Sequence, residues 1–265
     1  MIITVTVYKR PELLKRCLQS IQHALFPRNS TVKIIVSCDW HSQDMTERMS
    51  SVIQESSRPT NGVYHKKRLG VANHPRWLFN YCANEFQYKK HKTIVALEED
   101  TIVSPDCFLL ADWALRQKEY QFVNLWHPIY WSIPINWESQ PEGTIADSRV
   151  HEDIELRSPF GWAFTTEFWR ELEPQWNGKI RSPYGWDWQL SHLCYRENWR
   201  CLTPEVPRVY NTGREGGTYD TPDNWDATQR DVVICSVVPN KYGLYKHSNL
   251  DSSPIPGWVQ EEMRA

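Results

Sequence analysis

A chain of 265 residues, 40% hydrophobic and 23% charged, is long and apolar enough to bury one sizeable core. Its formal net charge of −2 excludes a basic footprint for nucleic acid, and apolar runs no longer than a strand exclude a membrane span. Seven scattered cysteines without metal-like spacing fit the reduced thiols of a cytoplasmic protein and offer no zinc site.

Ile2–Val7 is a β-branched run that reads as a strand. It has neither the basic region nor the cleavage site of a signal peptide, and a Met1 that opens directly into a strand suggests a naturally short chain. Pro11 suits a first helical position, and Leu13, Leu14, Cys17, Leu18 and Ile21 mark one face of the helix that follows. A second strand is predicted over residues 32–37, ending at Cys38-Asp39. Ser42 is placed to cap a helix carrying Met45, Met49, Val52 and Ile53. A short strand over 62–64 precedes a helix opened by His74-Pro75-Arg76. Residues 93–97 form an apolar strand that runs into Glu98-Glu99-Asp100. Residues 101–106 then read as a loop whose Asp106 starts a helix, and 121–126 closes the alternation. Such alternation predicts an α/β fold, with a mostly parallel sheet covered by helices on both faces.

Beyond residue 126 the regularity drops. Residues 127–160 read as a loop-heavy crossing, and Gly161-Trp162-Ala163-Phe164 leads into a short helix over 165–172. Another helix is predicted over 186–199. Residues 211–220 contain three glycines and have the composition of a mobile loop, and 240–265 is a weakly periodic tail. The division this suggests is a nucleotide-binding half, 1–126, and a smaller acceptor half, 127–265. Fourteen Trp are unusual; most belong to a core, with a few left to pack on sugar faces.

Three adjacent acids at the mouth of a buried strand repel one another, and a cation relieves that repulsion. Hard oxygen ligands suit Mn2+ or Mg2+, ions that commonly hold substrate phosphates, and the carboxyl end of a central strand is where open α/β sheets bind ligands. The run therefore reads as a metal–diphosphate site of a sugar-nucleotide enzyme. The alternative is an acidic surface turn in which Asp106 caps a helix. The first strand–helix turn, Tyr8-Lys9-Arg10-Pro11, has no glycine, which argues against a dinucleotide fold. No phosphate-binding P-loop and no Gly-x-Ser-x-Gly appear.

Taken in order, these segments resemble an inverting glycosyltransferase of the GT-A fold, specifically the α-mannoside β-1,2-N-acetylglucosaminyltransferase family. The resemblance is carried by Ile34-Ile35-Val36-Ser37-Cys38-Asp39, by His74-Pro75-Arg76-Trp77, and by the run from Val95 through the acids to Asp106. It continues with Gly161-Trp162, Phe168-Trp169-Arg170-Glu171-Leu172-Glu173-Pro174-Gln175-Trp176, Trp186-Asp187 and Thr212-Gly213-Arg214-Glu215-Gly216. Glu-Glu-Asp stands where the family has Glu-Asp-Asp, and Asp187 is followed by Trp188 where the family has a second Asp. The family's membrane anchor and stem have no counterpart in this sequence. These departures leave the donor sugar and the acceptor open.

What the resemblance implies is a UDP-sugar donor, a carbohydrate acceptor and a Mn2+ (or Mg2+) ion held by Asp100. Glu98 and Glu99 would face the nucleotide and sugar. Asp39, His74 and Arg10 would serve the nucleoside and nucleotide. Asp187 would be the catalytic base; by residue type alone it reads equally as a helix cap. Thr218 would contact phosphate and Arg214 would be a charge partner, both in a loop that orders over the donor. GlcNAc is the sugar first expected, with glucose, galactose or xylose as alternatives. From a different class, a non-catalytic sugar-nucleotide or glycan-binding module also stays open.

Overall fold

Strand β1 (Ile2–Val7) is buried along nearly its whole length, as a β-branched run must be when sheet neighbours and helices surround it. In the computed structural model, which describes residues 1–85, 93–126, 149–153, 160–176, 186–214 and 242–244, β1 pairs in parallel with β2 (Lys33–Cys38) on one side. On its other side it pairs in parallel with β4 (Thr93–Glu98). Helix α1 (Pro11–His23) returns the chain from β1 to β2, with Pro11 at its start. Helix α2 (Gln43–Gln54) is capped by Ser42, whose hydroxyl accepts the Met45 N–H, and leads to edge strand β3 (Thr60–Tyr64). Helix α3 (Asn73–Glu85) precedes β4.

The acid run does not continue into a loop. Thr101–Val103 is strand β5, three residues whose partner, β10 (Val209–Asn211), lies more than a hundred positions downstream. Such a pairing leaves no local periodicity. Helix α4 (Cys107–Leu115) follows, then β6 (Phe122–Asn124).

In the second half, the loop-heavy reading of 127–160 needs correction at Arg149–Asp153, strand β7, whose alternation is hidden by charged residues. Gly161–Thr165 is strand β8, and it turns directly into α5 (Thr166–Leu172). Helix α6 (Trp186–Glu197), β9 (Cys201–Pro204), β10 and β11 (Gly243–Leu244) complete the order. The mobile-loop reading of 211–220 is corrected at its start, because Asn211 ends β10. Residues 215–220 lie outside the described residues.

Among the described residues, nine strands form one sheet in the order β11-β7-β9-β6-β8-β4-β1-β2-β3. Pairings β1–β2, β1–β4, β2–β3, β6–β9 and β7–β11 are parallel. Strand β8 runs antiparallel between β4 and β6, and β7 runs antiparallel to β9. The sheet is mostly parallel, as predicted, with β8 reversed at its centre and β7 and β11 reversed at one edge.

Alternation along each strand supplies two cores. Ile3, Val5, Val36 and Val95 pack against α1, α2 and α4. Ile2, Ile35, Ile94 and Trp162 meet α3, α5 and α6 in a cluster dominated by Phe79, Phe164, Trp169 and Trp186. Among the described residues, Trp126, Trp162, Trp169, Trp176, Trp186 and Trp199 are buried, in keeping with their expected core role. Among the described residues no helix is long and apolar enough to cross a membrane.

Candidate active site

The parallel strands β1, β2 and β4 all end at the same edge of the sheet, and the turns after them meet there. The turn after β1 supplies Arg10, which is held just ahead of α1. Its Nε donates to Glu99 Oε1 at 2.8 Å and its Nη2 lies 2.7 Å from Asp100 Oδ2. Glu99 and Asp100 are both buried. Burial disfavours the charge on Arg10, but Glu99, Asp100 and Glu98 together outweigh that and push its pKa up.

One guanidinium does not balance three carboxylates. Burial, followed by repulsion from Asp100 and Glu99, pushes Glu98 well above the carboxylate range, and the Asp187 charge adds to the effect. Glu99 is pushed up to about 7: burial is the main cause and Asp100 adds to it, while Arg10 opposes both. Asp187, partly exposed in the first turn of α6, is therefore within electrostatic reach of the acid run. It lies inside the helix, not at its cap.

A second segment closes over Asp100. The Asp100 carbonyl accepts the Thr212 N–H at 2.7 Å and the Thr212 hydroxyl at 2.9 Å. Gly213 follows, its N–H bonded to Asn211 Oδ1 at 2.6 Å. A β-carbon on Gly213 would overlap the Asp100 carboxylate and crowd Arg10 Nη1, so only glycine fits against the pair. Arg214 is exposed at the end of this strap. Thr218 lies outside the described residues.

Asp39, expected to accept a hydrogen bond from the base, is buried and engaged with its own backbone. Oδ1 accepts Trp40 N–H at 2.9 Å and Leu69 N–H at 2.7 Å, and Oδ2 accepts Gly70 N–H at 2.9 Å. It organises the 69–70 turn, where Gly70 has φ +84°, a left-handed conformation that glycine adopts without strain.

His74 lies in the first turn of α3. It is buried, and its Nε2 lies 2.8 Å from Ser37 Oγ, which in turn lies 2.9 Å from His65 Nε2. Burial lowers its pKa to about 4, against the pull of Asp39.

Sequence reasoning missed Tyr8. It ends the strand–turn at Arg10, its ring lies under the Arg68 guanidinium at 4.6 Å, and His41 meets its edge at 5.5 Å. An aromatic residue immediately after a strand that points at the ligand edge was the available signal. The Tyr8–Arg68 pair stands beside the Asp39-held turn and can offer a flat face to a base.

The donor set fits a divalent cation. Buried Asp100, the adjacent glutamates and their uncompensated negative charge are hard oxygen chemistry, the kind that Mn2+ or Mg2+ takes. Among the described residues no group of three or more His, Cys, Asp or Glu is gathered as a metal cage.

No protein-family model matches the chain. Among solved structures it is similar to the mannosyltransferase PcManGT from Pyrobaculum calidifontis in complex with GDP-Man and Mn2+, at 15% identity and a TM-score of 0.50. That match covers 78% of this chain and 57% of the other. It is also similar to S. aureus TarS 1-349 in complex with UDP-GlcNAc, at 12% identity and a TM-score of 0.54, covering 85% and 64%. The UDP complex of the same TarS fragment matches at 11% identity and a TM-score of 0.52, covering 79% and 60%. The fold is the α/β GT-A type. The chain spans about 57–64% of the length of these structures.

Proposed function

We propose that the protein is a metal-dependent glycosyltransferase that takes a sugar from a UDP-sugar and passes it, with inversion, to a hydroxyl of a carbohydrate acceptor. The observation that carries this reading is the convergence of Arg10, Glu99, Asp100 and the Thr212–Gly213 strap at the strand ends, with the Asp187 charge in reach. Solved structures of this fold that hold GDP-Man with Mn2+ or UDP-GlcNAc support it.

Each residue has a definite task. Asp39 fixes the 69–70 turn, and Tyr8 with Arg68 faces the base. Arg10 holds Glu99 and Asp100 in place, and Asp100, flanked by Glu98 and Glu99, would hold the ion. When bound, a divalent ion neutralises charge that builds on the departing diphosphate. Arg214, at the end of the strap, and Thr218 would contact the phosphates.

Asp187 takes the proton of the acceptor hydroxyl as that oxygen bonds to the anomeric carbon. The carbon–oxygen bond to UDP breaks on the opposite face, so one carboxylate is enough for inversion. A non-catalytic sugar-nucleotide binder would need no such carboxylate beside the acid run.

GlcNAc is the donor sugar we infer, and the β-1,2-N-acetylglucosaminyltransferase family is the likeness that supports it, through the ordered motifs from Asp39 to Gly213. A screen of nucleotide sugars for Mn2+-dependent hydrolysis without acceptor tests the proposal. Hydrolysis of UDP-GlcNAc is expected. Turnover of only another UDP-sugar would replace the sugar, and failure of every nucleotide sugar to be hydrolysed or to stabilise the protein would overturn the proposal.

A further inference from the structure

The strap over Asp100 is the inner end of a two-stranded ribbon. In it β5, leaving Asp100, pairs antiparallel with β10, arriving at Thr212: Thr101 opposite Asn211, Ile102 opposite Tyr210, Val103 opposite Val209. The outer end is closed by a different set of groups. Arg208, the residue before β10, donates from Nε to Asp106 Oδ2 at 2.9 Å, and both side chains are wholly buried. The Arg208 carbonyl accepts the Ser104 N–H at 2.8 Å, and Ser104 Oγ donates to Asp106 Oδ1 at 2.8 Å. Asp106 stands at the N-cap position of α4 but makes no side-chain cap bond. Its carboxylate is turned instead to Arg208.

A third element joins the same carboxylate. The Tyr242 hydroxyl donates to Asp106 Oδ2 at 2.9 Å, and its ring packs against Trp113 at 5.5 Å. The next two residues form β11, paired with β7 at the far edge of the sheet. Tyr242 and β11 thus join the outer end of the ribbon to the sheet's second half.

We infer that Asp106, Arg208 and Tyr242 form a latch that sets the Asp100 carboxylate from the far end of the β5–β10 ribbon. All three are positioning residues. The ribbon is only three residue pairs long, so a shift at the Arg208 end reaches Thr212 and Gly213 with little room to dissipate. Gly213 lies so close to the Asp100 carboxylate and Arg10 that any such shift moves the pair. In functional terms the inference rests on the donor-site reading above, and it makes the seating of Tyr242 on Asp106 a determinant of metal–nucleotide affinity.

Tyr242→Phe removes one hydroxyl and leaves the Asp106–Arg208 pair and the Trp113 packing, so the variant should fold. Two readouts apply: amide hydrogen exchange at Ser104 and Thr212 without ligand, and the Mn2+ concentration that half-saturates UDP binding. The latch requires faster exchange at both amides and a half-saturating Mn2+ concentration raised roughly 3–10-fold, the scale of one hydrogen bond. Unchanged exchange at Thr212 would overturn it. So would faster exchange with an unchanged Mn2+ requirement, since the latch would then order the ribbon without setting the site. Were the wild-type protein to bind UDP with no dependence on Mn2+, the donor-site reading would fall, and exchange at Thr212 alone would decide the latch.

Discussion

Thr212 gives both its backbone N–H and its hydroxyl to the carbonyl of Asp100, 112 residues earlier in the chain. That pair of hydrogen bonds from one residue to one oxygen fixes the main chain of the acid run. Arg10 holds the carboxylates and Thr212 holds the main chain, so the site is gripped before any ligand arrives.

The strap's closest approach is at Gly213. Gly213→Ala forces a methyl group into the space of the Asp100 carboxylate, which is buried and paired and cannot swing aside freely. Overpacking of this kind costs about 1–3 kcal/mol of stability. The larger effect is expected on ligand binding, with Mn2+-dependent UDP affinity falling at least roughly tenfold, as expected when one short charge-assisted contact is lost. Calorimetric titration of UDP in Mn2+ checks it, and wild-type affinity in the variant would remove the strap from the site.

Asp187→Asn separates chemistry from binding. Asparagine keeps the size and most hydrogen bonding but cannot take a proton at neutral pH, so transfer should fall by roughly 10²–10⁴-fold. UDP-sugar affinity should change little. A folded variant that transfers sugar at near-normal rate would show that Asp187 serves only the first turn of α6, where an acid is favourable for the helix dipole.

His74 predicts a pH dependence of stability. Its pKa is about 4 in the folded protein, below the ordinary histidine value of 6.5, so between those values the unfolded chain binds more protons. The stability it contributes is complete above pH 6.5 and is lost as pH falls toward 4. His65, also lowered by burial, acts in the same direction. His74→Gln should flatten the loss of melting temperature between pH 6.5 and 4. A slope identical to the wild type would mean the ring titrates normally in the folded state.

Much of this arrangement was legible in the sequence because its signals are local. Ile2–Val7 is apolar at every other position, Pro11 and Ser42 mark helix starts by their own chemistry, and the acids follow directly on a buried strand. Pairings between distant residues carried no such signal. The three residues of β5 needed β10 to become a strand, and Asp106 resembled a helix cap until Arg208 drew its carboxylate away. Asp39 and His74 stand out as residues in the sequence, but the partners that hold them in place do not. What each touches, the 69–70 turn and Ser37, is a matter of tertiary packing that neither motif encodes.

We propose that Asp100 and its neighbours hold a metal ion together with a nucleoside diphosphate. Melting temperature with UDP, measured in Mn2+ and in EDTA for wild type and Asp100→Ala, tests it most directly, because a ligand that binds the folded state raises its stability by mass action. A clear rise is expected for wild type in Mn2+, little or none in EDTA, and no difference between the two for Asp100→Ala. Equal stabilisation of wild type by UDP with and without metal would contradict it.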